Sequence, residues 1–194
     1  KTPIASAKLI LENDDSNLSS RINYEMKRVE GFIEQVLYYA RSSDVSKDYI
    51  IREFSLRDVV MKAVKSNSRD FINRNIKLNI KEIEGTIFSD AKWVEFIINQ
   101  IIINAVKFSI SNKGEVSIFS KINENNIILT IEDNGVGISE KDIDRVFEKG
   151  FTGENGRKFG KSTGIGLYLC NKLCDKLGVG ISVASKEGMG TKVN

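Results

Sequence analysis

Histidine is missing from all 194 residues, proline and tryptophan each occur once, and cysteine occurs twice. Losing histidine removes the commonest metal-ligating imidazole and the side chain that titrates nearest neutrality. Cys170 and Cys174 stand four apart within a predicted helix. That is not a metal-ligand spacing, so they read as small core residues and no zinc site is expected. Charge of neither sign prevails: 29 Lys and Arg against 26 Asp and Glu leave +3. A balance so small and dispersed makes no stripe for nucleic acid. No apolar run of membrane-spanning length and no signal-peptide pattern occurs. The chain starts at Lys1 without an initiator Met and stops within an apparent strand, so it reads as a piece of a longer protein.

What is present is an ordinary globular mixture, 41% apolar and 28% charged, enough for one domain plus a smaller element. The first part, residues 1–45, is helical in pattern. Ile22, Met26, Val29, Ile33, Val36 and Ala40 recur at steps of four, three, four, three and four. That is the seam of a coiled coil or bundle. With a short apolar helix from Ile4 to Leu11 and a turn at residues 13–17, the segment reads as a helical hairpin. A lone hairpin buries little surface, so pairing of two copies into a dimeric four-helix bundle is expected; packing of the seam on its own chain is the alternative.

Residues 46–194 alternate. Strands are expected at Tyr49–Phe54, Ile76–Ile80, Gly85–Phe88, Val116–Ile122, Ile127–Ile131, Gly180–Ser185 and Thr191–Asn194. Helices are expected at Leu56–Ile72 behind a Ser55 cap, Asp90–Ser109 behind an Asp90 cap, Lys141–Glu148 and Thr163–Leu177. Trp93, Ile97, Gln100, Ile101, Asn104 and Phe108 then share one helix face. The fold class is α+β, a helical hairpin followed by an α/β sandwich with an antiparallel-rich sheet.

Four stretches carry candidate chemistry. Asn104-Ala105-Val106-Lys107-Phe108 ends the long apolar helix. A polar side chain on so apolar a helix is paired or functional, because an unsatisfied buried amide costs about 1–3 kcal/mol. The Asn104 carbonyl oxygen suits Mg²⁺, and Lys107, one turn along, suits phosphate. Asp133-Asn134-Gly135-Val136-Gly137-Ile138 follows a β-like run. A carboxylate there can accept from the exocyclic amine of adenine, and Gly135 and Gly137 permit a close backbone approach to the purine. Ser162-Thr163-Gly164-Ile165-Gly166-Leu167 opens a helix, with Arg157, Lys158 and Lys161 just before it. A helix start beside cations is a phosphate cradle. Gly150 to Gly156 is glycine-rich and polar, suited to a mobile lid, and Gly188-Met189-Gly190-Thr191 precedes the last strand. Each stretch alone also has a plain reading: an Asx turn, a core amide, a solvated lysine, a surface loop, a hairpin turn. Their order and spacing favour one nucleotide pocket.

In that order the stretches resemble the N, G1, G2 and G3 boxes of the Bergerat-type ATP-binding fold of sensor histidine kinases, DNA gyrase, heat-shock chaperones and mismatch-repair proteins. With the hairpin in front, the whole chain resembles the dimerisation and phosphotransfer domain plus the catalytic domain of a bacterial sensor histidine kinase. Phe147 and Phe151 match the F box. The stretches Gly150 to Arg157 and Lys161-Ser162-Thr163 are similar to kinases of the intramembrane-sensing, peptide-antibiotic-responsive type. The resemblance implies ATP and Mg²⁺ as ligands, with Asn104 as the metal ligand. It implies nucleotide contacts from Asn104, Lys107, Phe108, Asp133, Gly135, Gly137, Ile138, Arg157, Lys161, Ser162, Thr163, Gly164, Ile165, Gly166, Leu167 and Thr191.

It further implies a homodimer, a response-regulator receiver domain as partner, no nucleic acid, and a cytoplasmic place in a membrane-anchored protein. Lys1-Thr2-Pro3-Ile4 resembles the tail of the phosphoacceptor motif, which places the phosphorylated histidine just before residue 1 and puts Thr2 at the family's phosphatase position. Gyrase-like ATPases carry a water-activating Glu four residues before the Mg²⁺ asparagine. Here that place holds Gln100, which cannot act as a base, so transfer is favoured over hydrolysis by a conformational ATPase of the gyrase or chaperone class.

Overall fold

Two compact units divide the chain at Lys47 and Asp48. In a computed structural model, the described residues are 22, 26, 29–33, 35–37, 50–124, 126–158 and 162–194, with 157 and 158 described by their backbone alone. Those of the first unit are helical, and its seam residues Met26, Ile33 and Val36 are 49%, 53% and 64% exposed. The expected first helix and turn, Thr2, Ala40 and the linker at Ser42 to Asp48 lie outside the described residues.

The second unit starts with strand β1 (Ile51–Ser55) and helix α1 (Leu56–Asn73). Ser55 caps α1, its hydroxyl accepting from Asp58 N–H at 3.4 Å. Strands β2 (Lys77–Ile80) and β3 (Thr86–Asp90) lead to helix α2 (Ala91–Phe108). Asp90 caps α2 by accepting from the amides of Lys92 and Trp93 at 2.9 and 3.1 Å. Isoleucine is a poor helix former, because its branched Cβ stiffens χ1. Burial of Ile97, Ile98, Ile101 and Ile102 against the core decides the conformation instead. After α2 come β4 (Glu115–Asn123), β5 (Asn126–Asp133), α3 (Glu140–Ile143), α4 (Gly153–Lys158), α5 (Gly166–Leu177), β6 (Val183–Lys186) and β7 (Gly190–Val193).

The main sheet has the order β2-β4-β5-β7-β6, antiparallel except for the parallel pair β2 and β4, and β1 with β3 forms a separate ribbon. Val116, Ile118, Ile131 and Val193 are buried, whereas Ser117 and Glu132, which point to the opposite face, are not. The buried face meets a helical layer whose innermost side chains are Val60, Ile102, Leu169, Cys170 and Leu173. Asn67 joins α1 to α2 by donating to Asn99 Oδ1 at 2.5 Å and to its own Ala63 carbonyl at 2.8 Å. This is the expected α/β sandwich.

Four elements differ from expectation by three residues or more, one being the Gly180–Ser185 strand, which runs only over Val183–Lys186. The Lys141–Glu148 helix is only Glu140–Ile143, because Asp144 onward follows the turns that bring Val146 into the core. The Thr163–Leu177 helix begins at Gly166, since Gly164 has a positive φ of 68° that no α-helix tolerates. Glycine-rich residues 150–156, expected as loop, include the first turn of α4, whose Glu154 amide donates to Asp142 Oδ2 at 3.0 Å.

Candidate nucleotide site

The last turn of α2, the loop after β5 and the β6–β7 hairpin meet at one end of the sheet. The Phe108 carbonyl at the end of α2 accepts from Val136 N–H at 3.1 Å, and the Val136 carbonyl accepts from Gly188 N–H at 2.8 Å. Three of the expected stretches are thus tied in sequence. The glycines make this approach possible. A Cβ on Gly135 would overlap the Phe108 carbonyl, and one on Gly137, at φ +67°, would overlap the Lys186 backbone. The close contact expected between these glycines and a purine is therefore, first of all, a contact with the protein's own main chain.

Asp133 ends β5 and is buried. Its Oδ1 accepts from Gly135 N–H at 2.8 Å, the Asx-turn bond that a plain structural reading requires. Burial pushes its carboxyl from 3.8 up to about 6, against the opposing pull of the Gly135 and Thr191 amides. Its neighbour Asn134 is occupied structurally: it accepts from Glu115 N–H at 2.7 Å and donates to the Lys113 carbonyl at 3.1 Å. Thr191 lies opposite Asp133 in the β5–β7 register. Ile138 donates its amide to Ser185 Oγ at 2.8 Å.

Asn104 and Lys107 stand on α2 half-buried. Among the described residues the Asn104 side chain makes no hydrogen bond, so it is not the core clasp that the alternative reading called for. The Lys107 ammonium donates to the Ser162 hydroxyl, which brings the first and third stretches together. Gln100, one turn before Asn104, is buried, and a Cβ on Gly166 would sit 3.1 Å from its Oε1. α5 opens at Ile165 without a side-chain cap, and the nearby Thr163 hydroxyl accepts from Ile165 N–H at 3.3 Å. Gly164 accepts at its carbonyl from Gly150 N–H at 2.9 Å, which closes the base of the expected lid. Within it Asn155 donates to the Gly137 carbonyl at 2.5 Å, and Glu154 pairs with Lys141 at 2.5 Å. Phe151 lies under the Arg145 guanidinium, 4.3 Å from centroid to carbon. Leu167, on the first turn of α5, is half-buried. Lys161 and the side chain of Arg157 lie outside the described residues.

Two contributors gave no signal in the sequence. Arg74, in the turn after α1, donates to the carbonyls of Val106, Lys107 (2.7 Å) and Ser109 (3.1 Å), and so caps the C-terminus of α2. Ser185, on β6, holds Ile138 against the β6–β7 hairpin. A lone Arg after a helix and a Ser in a strand look like any surface residue until their partners are known.

The donor set fits a magnesium nucleotide. It offers a buried carboxylate for a base amine, an amide oxygen without a partner among the described residues for a hard cation, an ammonium, and a helix start without a side-chain cap for phosphate. No group of three or more Cys, Asp or Glu among the described residues is placed to hold a metal. Residues 89–194 match the family described as histidine kinase-, DNA gyrase B-, and HSP90-like ATPase. The chain belongs to that family.

This family member is 36% identical over 195 residues to the sensor histidine kinase YxdK of Bacillus subtilis (strain 168), a match covering 100% of the chain and 60% of YxdK. It therefore spans about 60% of the length of that curated relative. Its fold is that of the Acinetobacter baumannii histidine kinase AdeS, with a TM-score of 0.72 at 20% identity over 99% of this chain and 93% of that one. It is also that of the histidine kinase ThkA in complex with the response regulator protein TrrA, with a TM-score of 0.71 at 16% identity over 98% and 56%. Among the described residues no helix is long and apolar enough to cross a membrane.

Proposed function

We propose that this chain is the dimerisation and ATP-binding core of a sensor histidine kinase, made of a helical hairpin at 1–45 and a catalytic domain at 46–194. It binds Mg-ATP and directs the γ-phosphate to a protein histidine, from which it passes to an aspartate of a response-regulator receiver domain. The observation that carries the reading is the junction at one end of the sheet between the end of α2, which bears Asn104 and Lys107, and the loop that follows Asp133, with an amide, Gln100, where a hydrolytic relative would carry a carboxylate.

In this reading Asp133 accepts from the adenine amine and Asn104 ligates Mg²⁺. Lys107, Ser162, Thr163 and the backbone of Gly164, Ile165, Gly166 and Leu167 take phosphate oxygens, with Arg157 and Lys161 adding charge. Phe108, Gly135, Gly137, Ile138 and Thr191 form the walls. Bound Mg-ATP supplies the phosphoryl group and a cation that spreads its charge. The chain's own task is to orient and neutralise, which is where catalysis in phosphoryl transfer resides. No histidine occurs in these 194 residues, so the accepting imidazole lies outside them. The exposed seam of Met26, Ile33 and Val36 supports a homodimer. The 36% identity to a sensor kinase supports a membrane-anchored parent, with this portion in the cytoplasm.

Calorimetric titration with Mg-ATP, followed by incubation with a separately supplied histidine-bearing partner segment, tests the proposal. Saturable binding and acid-labile label on the partner are expected, with no label on this chain. Rapid steady-state hydrolysis that Gln100→Ala abolishes would instead make it a conformational ATPase of the gyrase or chaperone class.

A further inference from the structure

Residues directly opposite on neighbouring strands share a face of the sheet. Asp133 lies opposite Thr191 across β5 and β7, and Thr191 lies opposite Ser185 across β7 and β6. The three side chains therefore form one row, on the face that also carries buried Ile131 and Val193.

Proton counting along that row gives each hydroxyl a direction. Ser185 Oγ accepts from Ile138 N–H at 2.8 Å, lies 2.6 Å from the Gly190 carbonyl oxygen and 3.0 Å from Thr191 Oγ1. A serine has one hydroxyl proton, and a carbonyl can only accept. The Ser185 proton therefore goes to Gly190, and the contact with Thr191 needs the Thr191 hydroxyl as donor. With its only proton turned toward Ser185, Thr191 offers nothing but lone pairs to a base lying against Asp133.

We propose that Ser185 is a specificity-determining positioning residue: by holding Thr191 as an acceptor it makes the wall beside Asp133 accept-only, so that the site admits a purine with an amine at position six and rejects one with a carbonyl there. This rests on the nucleotide reading above, and Ser185 acts through Thr191 without touching the base. An acceptor facing a carbonyl is an unpaired polar contact, the kind that discriminates most strongly. If Ser185 is removed, the Thr191 hydroxyl is free to turn and donate to that carbonyl.

The test compares Mg-ATP with Mg-ITP, which differ at position six of the base and in the proton that the inosine base carries on N1, by calorimetry on the wild-type chain and variants. Wild type should prefer ATP. Ser185→Ala should lower the ATP-to-ITP affinity ratio about fivefold, the effect of one hydrogen bond. Ser185→Thr, which keeps the hydroxyl, should preserve the ratio. In a Thr191→Val background Ser185→Ala should leave the ratio unmoved. Equal weakening of both nucleotides by Ser185→Ala would show that Ser185 merely anchors Ile138, and would overturn the proposal while sparing the ATP site. Failure of the wild type to bind either nucleotide would overturn the nucleotide reading itself. Independently of any variant, the Thr191 hydroxyl proton in the free wild-type chain should exchange slowly with water by NMR; a freely rotating hydroxyl there refutes the assignment.

Discussion

The Phe108 carbonyl accepts the amide proton of Val136 at 3.1 Å, and Gly135 is the residue whose missing Cβ lets that bond form. One main-chain contact thus joins the helix bearing Asn104 and Lys107 to the loop that follows Asp133. The geometry of the site follows from it: a displacement of α2's last turn moves both.

Asp133 should make stability and binding depend on pH in opposite senses. Its folded value of about 6, raised by burial from 3.8, means that the folded chain holds the proton more tightly than the unfolded one. Stability from this group is complete below about pH 4 and lost as pH rises through about 6, the charged form costing at most about 3 kcal/mol. Asp133→Asn should therefore stabilise the chain at about pH 8 and have little effect near pH 4, read by denaturant unfolding at both. Adenine-nucleotide affinity should rise with pH through about 6 in the wild type and be weak and flat in the variant.

Asn104→Ala should separate function from stability. Its side chain has no hydrogen-bond partner among the described residues, so thermal unfolding should shift little, within about 0.5 kcal/mol. Nucleotide affinity in the presence of magnesium should drop about tenfold or more, and affinity in EDTA should be unchanged. Equal loss without magnesium would assign Asn104 a structural part.

Arg74→Met should destabilise by about 1–3 kcal/mol, because the carbonyls of Val106, Lys107 and Ser109 lose a charged donor at a helix C-terminus. Arg74→Lys should recover only part of this, since one ammonium cannot reproduce the planar fork. Chemical denaturation of the three proteins measures it.

Cys170 and Cys174 should be silent toward thiol reagents in the folded chain. Both are buried; burial pushes the Cys174 thiol up to about 11 and that of Cys170 higher still. Labelling at about pH 8 should be negligible until denaturant unfolds the domain, when both thiols should react. Prompt labelling of the native chain would contradict the packing of α5 on α2.

How much of this was legible in residue order depends on how local each signal is. Ser55 and Asp90 cap their helices by bonds to amides two or three residues on, so a sequence window contains the whole interaction. Alternation along β4 and β5 likewise shows in the sequence which face is buried, whereas the strand order, the parallel pair β2 with β4 and the separate β1–β3 ribbon rest on long-range pairing that it does not carry. The end of α3 differs from the sequence expectation because Val146 is apolar for the sake of the core and mimics another helical turn.

Residue order by itself therefore determined most of the elements and the caps, which depend on neighbours within a turn or two, together with the order of the four site stretches and the amide at position 100. Only the tertiary structure decided that Gly135 makes room for Phe108, that Arg74 closes α2, that Lys107 meets Ser162 and that Ser185 directs Thr191. Most of those partners are tens of residues apart, and Ser185 and Thr191, though close in sequence, face each other only across the β6–β7 register. Such pairings are set by how the sheet and helices close around a shared core, which no short stretch of sequence contains.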